Sequence, residues 1–226
     1  MLRNDNTANP VASSANPQGE VVFHGDCTEI MPRLPAKSVD FVLTDPPYLV
    51  NYRPRSGKRV ANDNDAGAWL EPAFLEAYRL LKSDGYMVCF YSTNHADRFL
   101  TAARAAGFRT GGHFVFVKPY AASERYVRYQ HEQAYLFVKG RPEIPSQPIA
   151  DVLAWSYSGN RLHPTEKPVS VLAPLIEAFS RPGDTVLDPF CGSGSALVAA
   201  RETRRRAIGI ELEARHCHTA RLRLRQ

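Results

Sequence analysis

The residues best suited to do chemistry are Asp45-Pro46-Pro47-Tyr48, which end the apolar run Phe41-Val42-Leu43. The run predicts a short buried strand that delivers a carboxylate, an aromatic ring and a stiff diproline to a sheet edge. Neither proline has an N–H, so the backbone there offers carbonyls and no donors. Such a corner suits a flat ring bearing an exocyclic amine. Asp45 and the Pro46 carbonyl can accept the two amine hydrogens, and Tyr48 can stack on the ring. The plain alternative is a strand followed by a turn, because Asp and Pro are ordinary turn residues.

A second unit lies near the C-terminal end. Thr185-Val186-Leu187-Asp188 reads as a strand, Cys191-Gly192-Ser193-Gly194-Ser195 as a loop of small residues, Ala196–Arg201 as the start of a helix, and Ala207-Ile208-Gly209-Ile210 as a buried strand ending at Glu211. Glycines let a backbone approach a ligand closely. An acid about 20 residues beyond the first glycine, at the end of the next strand, can bind ribose hydroxyls. A dinucleotide fingerprint would place a third glycine near position 197, where this chain has Leu197. The pattern therefore suits a nucleoside-type ligand with a ribose and no phosphate, and S-adenosylmethionine is such a ligand.

The elements that must position these residues alternate between strands and helices. Val21–Cys27 reads as a first strand and turn, with Asp26 placed to cap the next helix or to touch a ligand. Leu70, Phe74, Ala77, Tyr78 and Leu81 recur at helical spacing, with Pro72 near the start and Gly85 beyond the end. Tyr86–Tyr91 predicts a strand. Asn94 is a candidate cap for a helix with Phe99, Ala103 and Ala106 on one face, stopped by Gly107. Phe114–Lys118 and Ala134–Lys139 are two further strands. A helix with Leu172, Leu175, Ile176 and Phe179 on one face follows His163-Pro164-Thr165-Glu166-Lys167-Pro168, and Pro174 should kink it or move its start. The last helix carries Cys217, Ala220 and Leu224 as a stripe, with Arg215, Arg221, Arg223 and Arg225 read as a solvated face.

Three stretches lack a period. Residues 49–68 hold Arg53, Arg55, Lys58 and Arg59, which can grip phosphates or form a solvated basic loop. Residues 119–133 interleave Tyr120, Arg125, Tyr126, Arg128 and Tyr129, a mixture that can meet a nucleic-acid strand or be an exposed hairpin. Residues 141–162 are irregular. The first 19 residues, rich in Asn, Ala, Ser and Pro, read as a disordered tail. Residues 20–226 are long enough for one α/β domain.

The net charge of +5 and pI near 9.1 favour a polyanionic partner. Cys27, Cys89, Cys191 and Cys217 are scattered without metal-ligand spacing, which fits structural thiols in a reducing cytoplasm. No long apolar run or leader points to a membrane or to secretion.

Taken together, Asp45–Tyr48, His163–Pro168 and Asp188–Gly194 closely resemble the bacterial amino-group DNA methyltransferases, and their order resembles the β group of that family. Most members with Asp-Pro-Pro-Tyr methylate N6 of adenine, and others N4 of cytosine. The resemblance spans roughly residues 20–224. It implies a Rossmann-like methyltransferase fold: a mostly parallel, seven-stranded sheet with an antiparallel hairpin and a circularly permuted motif order. It implies S-adenosylmethionine as cofactor, double-stranded DNA as substrate, and pairing of chains into homodimers. Catalysis falls to Asp45, Pro46, Pro47 and Tyr48. Asp26 and Cys27 should flank the cofactor adenine, and Glu211 should take the ribose. Phe190 should line the cofactor's adenine or methionine end and Gly192 and Gly194 its methionine part, Asp188 and Ser193 should also bind the cofactor, and Thr165 and Lys167 should flank the methionine carboxylate, with Lys167 as the chosen cation. DNA contacts should come from Arg53, Arg55, Lys58 and Arg59 and from the loops at 49–68, 119–133 and 141–162. No nuclease segment accompanies the motifs, which suits a solitary methylase. Rival readings are a methylase acting on RNA or on a protein amide, a nucleotide-binding oxidoreductase, and an idle DNA-binding protein on the same scaffold.

Overall fold

A computed structural model describes residues 19–50, 67–124, 126–156 and 166–226. The expected DNA contacts Arg53, Arg55, Lys58 and Arg59 lie outside the described residues, as do Arg125, His163, Pro164 and Thr165 and all but the last residue of the 1–19 tail. In chain order the first elements are β1 (Val21–His24), α1 (Cys27–Ile30), β2 (Val39–Thr44), α2 (Leu70–Leu80), β3 (Leu81–Phe90) and α3 (Ala96–Ala106). Then come β4 (Arg109–Val117), β5 (Ser123–Glu124), β6 (Arg128–Tyr129), β7 (His131–Val138), β8 (Val152–Ala154) and α4 (Val169–Phe179). The chain closes with β9 (Thr185–Asp188), α5 (Ser195–Glu202), β10 (Arg206–Glu211) and α6 (Ala214–Arg223).

The main sheet has the order β1-β10-β9-β2-β3-β7-β4-β8, and only β7 runs antiparallel to its neighbours. Strand alternation sends Phe41 and Leu43 into one core and Val42 into the other. The first core is covered by α4, α5 and α6, and the second by α1, α2 and α3. Both faces of the central strands are thus shielded, which is why β2 and β9 read as nearly continuous apolar runs. On α2 the buried residues Leu70, Ala73, Phe74, Ala77 and Leu80 follow the helical period.

Four expectations are corrected. The sheet has eight strands instead of seven, because Val152-Leu153-Ala154 pairs parallel with Val115–Val117. Three apolar residues in a Pro-rich stretch carry too little period to be seen. Leu81 does not close α2; its backbone turns extended (φ −65, ψ 134) and it begins β3 opposite Val39. A bulge then shifts the register so that Phe41 faces Tyr86. Asn94 is not the cap of α3: the Ser92 side chain accepts from the Asn94 N–H, and a 3-10 turn, Thr93–His95, precedes the helix. Pro174 does not move the start of α4, which runs from Val169 to Phe179. An interior proline costs about 3 kcal/mol, whereas four buried side chains of the size of Leu172, Leu175, Ile176 and Phe179 contribute about 1.5–3 kcal/mol each. Packing wins.

The connection β2-α2-β3 steps to one side of the sheet, and β9-α5-β10 steps to the other. Their first strands are neighbours, with Phe41 opposite Val186 and Val42 opposite Leu187. This is the point where the winding reverses, and loops on the carboxyl edge there part to leave a crevice. Asp45–Tyr48 and Pro189–Gly194 are those two loops.

Candidate active site

The two corners are in direct contact. Thr44, the last residue of β2, donates from Oγ1 to Asp188 Oδ1 at 3.0 Å. The Phe190 N–H donates to the same oxygen at 3.1 Å. A cavity between the corners is lined by Asp45, Lys167, Asp188, Phe190, Gly192 and Ser193, among others.

At the first corner, Asp45 is held at both oxygens. Tyr48 donates its hydroxyl to Oδ1 at 2.7 Å, and Lys167 Nζ donates to Oδ2 at 2.6 Å. Lys167 also reaches the Tyr48 hydroxyl at 3.2 Å and lies over the Tyr48 and Phe90 rings, 5.3 and 5.2 Å from their centres. Burial pushes the Asp45 carboxyl above its usual range, and the Lys167 cation opposes that rise. Burial and the Asp45 charge hold the Tyr48 phenol well above its usual value, so it remains a donor. Lys167 is buried and not in solvent, lines the cavity and is ion-paired with Asp45.

Leu49 follows Tyr48 in the left-handed region (φ 61) and is almost fully buried. A side chain at Gly67 would sit about 3.0 Å from Leu49 Cδ1, so the chain leaves and returns at nearly the same place.

At the second corner Glu211 is held by backbone N–H groups. Glu211 Oε2 accepts from the Gly192 N–H at 2.9 Å, and Oε1 accepts from the Glu213 N–H at 2.7 Å. Asp188 is buried and its carboxyl is pushed up to about 7 by desolvation. Gly192 and Gly194 both have positive φ, and a side chain at Gly194 would meet Ala220 of α6 at 2.9 Å. Phe190 packs edge-on against Trp69, ring centres 4.8 Å apart.

Asp26 is the N-cap of α1, its Oδ1 accepting from the Thr28 N–H and hydroxyl at 2.8 and 2.7 Å. Cys27 is buried and its thiol is pushed up to about 12, which makes it inert. Both sit at the end of β1, the strand paired with β10 so that His24 faces Glu211. Among the described residues no group of three His, Cys, Asp or Glu could hold a metal, and no helix is long and apolar enough to cross a membrane.

Several site residues escaped sequence reading. Lys118 is buried, ion-paired with Glu132 across the base of the hairpin, and lies 5.2 Å from the Trp155 ring centre. Burial raises the Glu132 carboxyl, but the Lys167 and Lys118 cations pull it below its usual range. Arg223, read as solvated, reaches Ser193, Ser195 and Glu166. Arg221, read the same way, donates to the Val22 carbonyl oxygen at 2.7 Å. None of these pairings has a local spacing in the sequence. Only Glu166 could have been flagged, as part of the His163–Pro168 block.

This arrangement is matched along most of its length by a known family: residues 39–222 fit the model described as DNA methylase, N6_N4_Mtase. The chain belongs to the N6/N4 DNA methylase family. It is 55% identical over 190 residues to "Putative methylase YubD" of Escherichia coli (strain K12), covering 84% of this chain and 83% of the relative. It is 26% identical over 247 residues to the DNA adenine methyltransferase YhdJ of the same organism, covering 88% and 80%. Among solved structures, the M1.HpyAVI–SAM complex superposes with a TM-score of 0.71 at 26% identity, covering 91% of this chain and 98% of that one.

Proposed function

We propose that this DNA methylase transfers a methyl group from S-adenosylmethionine to N6 of adenine in double-stranded DNA. The observation that carries the reading is the Asp45 carboxylate, held by Lys167 and Tyr48 on the wall of the cavity lined by the glycine loop. Two acids stand on the loop side: Asp188 lines the cavity, and Glu211 accepts from the N–H of Gly192, which lines it too. Such a set suits a ligand with ribose hydroxyls, an amine and a sulfonium, and repels a pyrophosphate. S-adenosylmethionine supplies an electrophilic methyl group there.

The chain's own residues then prepare the nucleophile. The amine nitrogen of adenine has its lone pair drawn into the ring. Asp45 and the Pro46 carbonyl accept its two hydrogens and favour a more tetrahedral, more nucleophilic nitrogen. As that nitrogen forms its bond to carbon it must lose a proton, and the Asp45 carboxylate is the acceptor at hand. Lys167 keeps Asp45 ionised before the base arrives. Positioning and preorganised charge account for most of the acceleration in this scheme. The base must leave the duplex at a cost of a few kcal/mol, and stacking on Tyr48 offsets about 1–3 kcal/mol of it.

The hairpin of β4 and β7 supports a DNA-facing edge. It leaves the sheet on the side where β2 ends, and Tyr120, Arg128 and Tyr129 are exposed with Tyr126 fully so. YhdJ, a DNA adenine methyltransferase by name, favours adenine over N4 of cytosine, the second target within the family. The test is to incubate the protein with tritiated S-adenosylmethionine and duplex DNA, digest the DNA and identify the labelled nucleoside. N6-methyl-2′-deoxyadenosine is the expected product. Label on cytosine would overturn the target, and no label in DNA would overturn the activity.

A further inference from the structure

We infer that Arg223 is a positioning residue for the cofactor loop and for the segment that carries Lys167, an inference that rests on reading the cavity as the S-adenosylmethionine site. Its Nη1 donates to the Ser193 carbonyl oxygen at 3.0 Å, to Ser193 Oγ at 3.3 Å and to Ser195 Oγ at 3.1 Å. The same nitrogen lies 3.3 Å from Glu166 Oε1. The side chains are enclosed, 15% exposed for Arg223 and 8% for Glu166. The other arginines of this helix do different work: Arg215 pairs with Glu213 near the surface, and Arg221 grips the Val22 carbonyl oxygen of β1.

Ala220 and Arg223 are three residues apart, hence on one face of α6. Ala220 leaves no room for a side chain at Gly194, and Arg223 holds the two serines that flank it. The glycine loop is therefore seated on α6 by a close contact and a charged clamp together. Arg201 completes the seating by donating to the Arg223 carbonyl oxygen at 3.0 Å. The loop so fixed presents the Gly192 N–H to Glu211, and Glu166 immediately precedes Lys167, whose ammonium holds Asp45. One guanidinium thus joins the loop to the segment bearing the catalytic acid's partner. All of these contacts run through Nη1, at the tip of a side chain longer than that of lysine, so an ammonium in its place would fall short of some of them.

The experiment is to compare wild type, Arg223→Ala and Arg223→Lys in the full chain, measuring cofactor KM, DNA KM, kcat and thermal midpoint. Arg223→Ala should raise the cofactor KM about tenfold or more, the scale of a lost charge-assisted bond set. The DNA KM should stay unchanged, and Arg223→Lys should fall between the two. An unchanged cofactor KM in the folded variants would overturn the inference, as would a lowered thermal midpoint without any KM change. If Arg223→Ala does not fold, Arg223→Lys decides by the same readout. Failure of wild type to bind S-adenosylmethionine would instead overturn the reading of the cavity.

Discussion

Asp45 and Asp188 stand at the ends of neighbouring strands, yet their carboxyls are held by different kinds of partner. Asp45 has a cation at 2.6 Å and a phenol at 2.7 Å, all through side chains. Asp188 has a hydroxyl at 3.0 Å and a backbone N–H at 3.1 Å. A unit charge about 4 Å away contributes about 4 kcal/mol at an effective dielectric near 20. A neutral hydrogen bond contributes about 1 kcal/mol. The first acid is therefore supported as an anion, while burial carries the second up to about 7. The contrast separates the corners: one carboxylate is backed by a cation, and the other is held by neutral donors beside the glycine loop.

The hardest test of that contrast is Asp45→Ala. It should abolish turnover, lowering kcat by about a thousandfold or more, while cofactor affinity changes little. Tritium transfer into DNA beside calorimetric titration of the cofactor measures both, and wild-type turnover in the variant would sink the assignment. Next in size is Lys167→Met. The Asp45 pKa is already raised in the folded protein, and removing the opposing cation raises it further. Ionised Asp45 is then lost at a higher pH as pH falls, so the acid limb of the kcat profile should move up and kcat at neutral pH should fall about a hundredfold. A profile superposing on wild type would show that Lys167 does not act on Asp45.

The smallest effect is on stability, through Asp188→Asn. An acid whose folded pKa is raised favours the folded state below its unfolded value of 3.8, and that advantage is lost as pH rises to about 7. Wild type should therefore lose thermal stability across that window, and the variant should lose several degrees less, at about 2–4 °C per kcal/mol for a chain of this length. Parallel pH slopes for the two proteins would mean that Asp188 does not carry the effect.

What was legible in the chain was what is local. The Asp45–Tyr48 corner follows its strand directly, and the glycine loop with Glu211 is one contiguous unit, so spacing sufficed to place both. Gly107, with φ 105, stops α3 as its residue type predicts. Tertiary pairing was invisible. Lys118 meets Glu132 only because β4 and β7 pair, and Trp69 meets Phe190 across more than half the chain. Arg223 looks in sequence like any cation on a helix rich in them, and only docking against α5 gives it partners. Leu81 and Val152–Ala154 were misread because a bulge and a three-residue edge strand leave no period.

Leu49 has one more implication. With its side chain against Gly67, it ties the backbone just after Tyr48 to the residues that lead into α2. A side chain added at Gly67 would therefore push on Leu49 and, through it, on the backbone that carries Tyr48.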